Sequence, residues 1–466
     1  MTVAANEDIR KELENDHNVK TIALDCNGYP RGELMSKKKF ISSLVSGFGL
    51  SRALYGKDTA DMGYPSDSPE KNSASDVIMK PDTASLYRLS WEDGIPTLFL
   101  DAYDPLTYNY MPLCPRGLLK KTEKRFTSQL NATAISGCEL EFQQFNETAH
   151  SLAAKDGAGL SGLHPSSLWS CVMRQNLNKE FYYGVVNACR KTGVELECWK
   201  VESGPSVLEG VIGCNNVLKL ADDASMFKII CKSVGAENGI IPCFMAKPQN
   251  SAPGNSSHFH ISIVSNNTGE NLFARESPDP DPEWPEISHL SDFGRHFLAG
   301  ILDGLTDVMP LLAPNINSYK RLHEKYYAPI SINWGVEHRM ASVRVICPPT
   351  TSSKNTRLEI RVPGADAVAH YALSAIMALG QRGVEKKIPL TIRPMKGDET
   401  SLSPEFKRLP KTLFEATVKF SEKGSIAREL FGDEFVDLYA RTRFHEVEKW
   451  NESVTNWDVN RYMEAV

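Results

Sequence analysis

No stretch of the sequence approaches the roughly 18 consecutive apolar residues that a membrane span requires. The opening residues, MTVAANEDIRKELENDH, are polar and helix-like and lack the apolar core of a secretory signal. No membrane partner is therefore expected, and a cytoplasmic protein is. The ten cysteines include no C-x-x-C pair, which argues against a zinc module or a disulfide framework and leaves buried reduced thiols as the expectation. Neither sign of charge dominates: 52 Lys and Arg against 58 Asp and Glu leave −6 over 466 residues, so no global field points to nucleic acid or an anionic bilayer. There is no Walker A sequence, so any nucleotide chemistry is not of the P-loop kind. No internal repeat is visible.

What is present is an ordinary globular composition, 41% hydrophobic and 24% charged, in a chain long enough for a large core shared between two domains. From Val19 to about Pro105, VKTIALDCNGYPRGELM predicts two strands joined by an Asn27-Gly28 turn, with a helix around Lys37–Val45. Pro115 suits the first turn of a helix that places Leu118, Leu119, Thr122, Phe126 and Leu130 on one face. The domain boundary is expected near residue 110, giving units 1–110 and 111–466.

Beyond that boundary the strands with clear period two are CELEFQQF, GVELECWKVES, SHFHISIV, SVRVIC and TRLEIRV. Helices are expected at Lys179–Thr192, Ala221–Asn238, Leu290–Met309, Asp366–Arg382 and Pro410–Glu422. The prolines of SPDPDPEWPE, residues 277–286, predict an exposed loop. Gly157 to Gly162 matches G-x-G-x-x-G, but no strand precedes it and His164-Pro165 follows, so a flexible loop is expected there.

Side chains two apart on a strand share a face. Glu139, Glu141 and Gln143 therefore oppose Cys138, Leu140 and Phe142. His258, His260 and Ser262 oppose Phe259, Ile261 and Ile263, and Arg357, Glu359 and Arg361 oppose Leu358, Ile360 and Val362. Any one of these polar faces alone reads as solvated sheet. Two histidines on one face with a serine fit that reading poorly, because E-x-E and H-x-H pairs are what oxygen-and-imidazole metal sites use. Glu202 and Glu209 flank the Gly204-Pro205 turn, and taken alone the pair reads as an exposed turn. Should Glu139, Glu141, Glu202, Glu209 and Glu359 converge, five like charges would require divalent cation, and this ligand chemistry points to Mg²⁺ or Mn²⁺. Arg321, Arg339, Arg344, Arg357 and Arg361 lie close together in sequence, as recognition of phosphate or carboxylate groups would demand.

At these residues the chain resembles glutamine synthetases, in the bacterial-type and glutamine-synthetase-like branch that includes γ-glutamylamine ligases. The resemblance runs in order through CPRGLLKK (114–121), the E-x-E strand, ESGPSVLE (202–209), CFMAKP ahead of HFHIS, APNINSYKRL (313–322), HRMASVRV (338–345), RLEIRVPGAD (357–366) and the terminal VTNWDVNRYMEAV. It implies an α+β fold: a β-grasp-like N-terminal domain, and a catalytic domain whose curved antiparallel sheet forms a funnel. Active sites would be shared between subunits of a ring-shaped homo-oligomer. By matching positions, Glu141, Glu202 and Glu209 would hold one metal, and Glu139, His258 and Glu359 the other. Arg321 and Arg361 would hold the glutamate carboxylates, with Gly254 beside them. His260, Ser262, Lys354 and Arg357 would surround the nucleotide, and Arg339 and Arg344 the transferred phosphate.

The resemblance also has departures. Where ammonia-using members carry a flap glutamate, this sequence has Tyr327, within His323-Glu324-Lys325-Tyr326-Tyr327-Ala328-Pro329; Glu324 is an alternative acid three residues earlier. The D-G-S-S pattern of the ammonium site is replaced by RALYGKDTAD (52–61). The Gly-Gln of G-P-G-Q-x-E is Ser206-Val207, the loop before His258 is Pro253-Gly254-Asn255-Ser256-Ser257, and A-N-P-Y has become Ala367-Val368-Ala369-His370-Tyr371. The expected activity is an ATP- and Mg²⁺-dependent ligase that joins glutamate to an amine larger than ammonia. The alternatives are an ammonia-using glutamine synthetase and a non-catalytic assembly or sensor protein with the same fold.

Overall fold

The structure, a computed structural model, describes residues 3–64, 75–164, 166, 168–323 and 326–466. Among the described residues, fifteen strands form two sheets. The first comprises β1 (Asn18–Leu24), β2 (Pro30–Arg31), β3 (Leu34–Ser36), β4 (Phe48–Ser51), β5 (Asp76–Pro81), β6 (Tyr87–Leu89) and β7 (Ile95–Tyr103). Its spine runs β2-β1-β7-β5-β4, with β1 and β7 parallel. The predicted turn forms because the Asp25 carboxylate accepts from the backbone N–H of Asn27 and of Tyr29, each at 2.9 Å, while Gly28 adopts φ +75°. Ser36 caps the helix Lys37–Ser46 by accepting from the Lys39 N–H. A grasp-like α+β unit results.

The second sheet is built from β8 (Ala132–Phe145), β9 (Leu196–Val201), β10 (Val207–Asn216), β11 (Ile241–Cys243), β12 (Ser257–Ser265), β13 (Trp334–Val336), β14 (Val343–Ile346) and β15 (Arg357–Ile360). Its order is β13-β14-β15-β12-β8-β10-β9, antiparallel except for the β13–β14 pair, with β11 against β8. Register shifts in β10 near Ile212 add to the bend of the sheet. Its apolar face carries Cys138, Leu140 and Phe142 onto the helices Lys179–Thr192 and Val217–Glu237, where Phe142, Phe181, Trp199, Phe227 and Phe244 form one aromatic cluster. The opposite face carries the polar residues.

The two layers are joined by the helix Pro115–Leu130, with Pro115 in its first turn as predicted. Arg116 is fully buried. Its guanidinium makes two hydrogen bonds of 2.9 Å to Asp222 of the helix Val217–Glu237 and also pairs with Asp101 of β7 and with Asp82, which follows β5.

Most expected elements form, with shifted ends. The expected helix over 290–309 is Asp292–Gly304, followed by a 3₁₀ turn over Leu305–Val308. The one expected from Asp366 starts at Ala369, and the one expected from Pro410 starts at Leu413, capped by Thr412. Residues 157–162 are irregular and follow the helix Ala149–Ala154. Several elements escape the periodicity argument, among them strands β4 to β7 and β10 and the helix Asp433–Glu452. Strand β10 overturns the exposed-turn reading of Glu209, which is 5% exposed. The cysteines are free thiols, but Cys198 and Cys214 are exposed, contrary to the expectation of burial. Among the described residues no helix is long and apolar enough to cross a membrane.

Candidate active site

Strand register assembles the site. On the polar face Lys200, Glu209 and Glu141 stand directly across β9, β10 and β8. One step along, Glu139 faces His258 of β12, His260 faces Glu359 of β15, and Glu359 faces Arg344 of β14. The alternation read from sequence thus places E-x-E, H-x-H and R-x-E-x-R on one surface of one sheet.

Glu139 is the hub. Its Oε2 lies 3.2 Å from His258 Nδ1 and its Oε1 lies 3.1 Å from His260 Nε2. Arg357 Nε donates to His260 Nδ1 at 3.3 Å, so the ring proton of a neutral His260 belongs on Nε2, donating to Glu139. Burial raises the pKa of the Glu139 carboxyl, but the two imidazoles outweigh it and hold the group well below the usual range. His258 Nδ1 is also 3.4 Å from Glu359 Oε1. Glu359 is 1% exposed and pairs with Arg361 and, at 2.9 Å, with Arg344. Against the upward push of burial, His258 and Arg361 hold its carboxyl at about 2.

The other carboxylates lie on the β9–β10 side. Glu141 Oε2 accepts from the Ser256 N–H at 2.6 Å. Lys200 Nζ is 2.6 Å from Glu202 and 2.9 Å from Glu209. Burial, followed by repulsion from Glu139 and Glu141, pushes the Glu209 carboxyl up, and the Lys200 ammonium pulls against that push.

The two groups differ in their fit to a metal ion. One ligand atom each from Glu139, His258 and Glu359 lie within 4.8 Å of one another, a hard-oxygen and imidazole set suited to Mg²⁺ or Mn²⁺. Glu141, Glu202 and Glu209 instead have an ammonium among them.

The arginines divide by environment. Arg321 is buried and donates to the carbonyls of Val362 and Arg361 and to Ser256 Oγ; burial pushes its pKa down to about 10. A Cβ on Gly254 would stand 2.4 Å from the Ala246 carbonyl oxygen and 2.7 Å from Arg321 Cγ, so this position demands glycine for close approach. Arg361 keeps its Nε buried without a hydrogen-bond partner in the protein. Arg339 is exposed, as is Lys354 at the edge before β15, and Ser262 lies farther down β12, opposite Ile135 of β8.

Arg339 and Tyr327 line a cavity of about 890 Å³ together with Tyr326, Val336, Glu337, His338, Met340 and Met395. Tyr326 covers Lys247, whose Nζ is 4.1 Å from the ring centroid, while Tyr327 is 72% exposed. Glu324 lies outside the described residues. Ser206, at a glycine position of the family pattern, keeps a left-handed φ of +61°; its Oγ accepts from the His164 N–H at 2.6 Å and donates to the His164 carbonyl at 3.0 Å.

Sequence reasoning misses Lys200 and Glu337. Lys200 is findable, being two residues before Glu202 and therefore on its face. Glu337 follows β13 with φ +54° and pairs with Arg344, and no periodicity marks it.

The family model described as the glutamine synthetase catalytic domain matches residues 112–462. The type-1 glutamine synthetase 2 of Dictyostelium discoideum is 34% identical over 96% of this chain and 84% of its own length. The glutamate–isopropylamine ligase of a Pseudomonas species is 30% identical over 98% of this chain and 97% of its own. A solved GmaS–ADP complex shares the fold, with a TM-score of 0.81 and 22% identity over 99% of this chain and all of that one. With its polar row laid out on a curved sheet and these matches spanning nearly its whole length, the chain belongs to the glutamine synthetase family.

Proposed function

We propose that the protein is an ATP-dependent carboxylate–amine ligase that joins the γ-carboxylate of glutamate to an amine larger than ammonia. The γ-carboxylate attacks the terminal phosphate of ATP, giving γ-glutamyl phosphate and ADP; the amine then attacks the acyl carbon and phosphate leaves. The observation that carries the choice of amine is Tyr327, exposed on a cavity of about 890 Å³ that Val336, Met340 and Met395 line together with charged residues such as Glu337 and Arg339, at the position where the family resemblance implies a carboxylate in ammonia-using members. The named activity of the Pseudomonas relative supports the same reading.

Arg361 offers its free Nε to a glutamate carboxylate, and Arg321, locked onto backbone carbonyls, shapes that wall with Gly254. Arg344 and Arg339 face the transferred phosphate, and fixed guanidinium groups of this kind lower the cost of its spreading charge. His260, Arg357, Ser262 and Lys354 line the nucleotide side. A divalent ion held by Glu139, His258 and Glu359 would supply electrophilic stabilisation of phosphate oxygens. Tyr327 packs against the carbon skeleton of the amine. The assembly is a ring in which the unit 1–110 of one chain completes the site of the next, within a cytoplasmic enzyme.

A screen of amines with purified protein, glutamate, ATP and Mg²⁺, read by phosphate release, tests the proposal. An organic amine used more efficiently than ammonia is expected. Equal or better use of ammonia would favour the second reading, glutamine synthesis, which the 34% identity to the Dictyostelium enzyme supports.

A further inference from the structure

The second carboxylate group already contains a cation. Lys200 rises from β9 directly opposite Glu209, and its Nζ lies between Glu209 Oε1 at 2.9 Å and Glu202 Oε2 at 2.6 Å. The remaining oxygens are partly engaged as well. Glu202 Oε1 accepts from the Ser203 N–H at 2.8 Å, Glu202 Oε2 also accepts from Trp169 Nε1 at 3.1 Å, and Glu141 Oε2 accepts from the Ser256 N–H at 2.6 Å. The Trp169 ring stands 6.0 Å from Lys200 Nζ and adds a cation–π contact on its outer side. By contrast, among the described residues Glu139, His258 and Glu359 bring their ligand atoms together with no cation bridging them: of the three, Arg344 and Arg361 pair with Glu359 alone.

An ammonium is a compact point charge with three donors, well matched to one carboxylate directly across the strand pair, Glu209, and a second two residues along its own chain, Glu202. Unlike a divalent ion, it is tethered, so it neutralises these carboxylates without leaving with product. An ion entering between the same oxygens would have to displace Lys200 and would then sit beside a like charge.

We propose that Lys200 is a built-in cation at the Glu202–Glu209 pair, so that in the absence of nucleotide each chain binds one divalent ion, at Glu139–His258–Glu359, where the family resemblance implies two. The inference rests on the ligase reading only for the meaning of the site, since the ion count is independent of turnover.

The test is a Mn²⁺ titration of the full-length protein in its native assembly, without nucleotide or amine, followed by electron paramagnetic resonance of the free ion. One bound ion per chain is expected for the unaltered protein and for Lys200→Arg, and two for Lys200→Gln. Glu209→Gln, in a chain that keeps Lys200, is expected to leave the count at one. Two ions in the unaltered protein, or a count that falls with Glu209→Gln, would overturn the proposal. No bound ion at all would overturn it together with the metal reading of Glu139, His258 and Glu359. Absence of turnover with every amine, alongside a count of one, would sink the ligase reading and leave this inference standing.

Discussion

Arg344 stands between Glu337 and Glu359: its Nη1 lies 2.9 Å from Glu359 Oε2, and its Nε lies 2.9 Å from Glu337 Oε2. Glu337 reaches it from a left-handed backbone conformation uncommon for a residue with a Cβ, and its other oxygen accepts from Thr350 Oγ1 at 2.6 Å. The guanidinium is thus held from both sides in a fixed orientation. Glu337→Gln keeps the shape and removes the charge. Losing a charge-assisted hydrogen bond costs ~1.5–3 kcal/mol, so kcat is expected to fall roughly 10- to 100-fold, with KM for glutamate changing less. Steady-state kinetics decide; an unchanged kcat would mean that Arg344 needs no such clamp.

Removing a metal ligand has a separate signature. Because Glu139, His258 and Glu359 converge, Mg²⁺ is expected to raise the melting temperature of the intact protein by binding only the folded state. Glu139→Ala and Glu359→Ala should each abolish both that shift and activity, and chelation should abolish activity reversibly. A variant that keeps its full Mg²⁺-dependent shift removes its residue from the ligand set.

Tyr327 tests the choice of amine. A phenol, with an ordinary pKa near 10, neither attracts a cation by charge nor takes a proton readily at neutral pH, whereas a carboxylate does both. At a position 72% exposed a new ion pair is worth only ~0.5–1 kcal/mol. Tyr327→Glu is therefore expected to raise ammonia use relative to the native amine by roughly 2- to 5-fold, not more. Tyr327→Phe should largely spare the native reaction. Competition assays with both amines read the ratio; if it does not move with glutamate at this position, the flap does not select the nucleophile.

The alternation of polar and apolar residues makes each strand's faces legible in the sequence: parity puts Glu139, His258, His260, Glu359 and Arg361 on polar faces, and the strand order, which parity does not give, brings those faces together. Contacts that parity does not encode stay hidden there. Glu337 reaches Arg344 through a left-handed residue outside any periodic run, and Glu209 is obscured because the Gly204-Pro205 turn dominates its local sequence. Lys200 lies in plain view on a predicted strand, but only the cross-strand register says that it faces Glu209. The identity of the nucleotide-side residues rests on family resemblance, since nothing in the spacing of Ser262 or Lys354 distinguishes them from solvated surface.

Lys228 offers a pH-dependent prediction away from the site. Its ammonium donates to the carbonyls of Ala365 at 2.6 Å and Ala367 at 3.2 Å, and lies 5.6 Å from the Phe244 ring centroid. Desolvation pushes its pKa down to about 8. Between that value and the unfolded pKa of roughly 10.4 the unfolded chain binds more protons, so this residue makes stability rise with pH across the window. The melting temperature of Lys228→Met should lack this contribution, becoming flatter or falling more steeply from pH 8 to 10. Superimposable pH profiles for the two proteins would contradict it.

Arg116 gives the architecture a mechanical consequence. Asp101 comes from β7 and Asp82 from the turn just after β5, while Asp222 comes from a helix packed on the other sheet, yet all three converge on a single buried guanidinium. Unfastening either layer would strand charged groups away from water, a cost of several kcal/mol per ion. The two layers are thus riveted rather than hinged: calorimetry should find one melting transition for the whole chain, and a protease should not release the first hundred residues as an intact folded fragment.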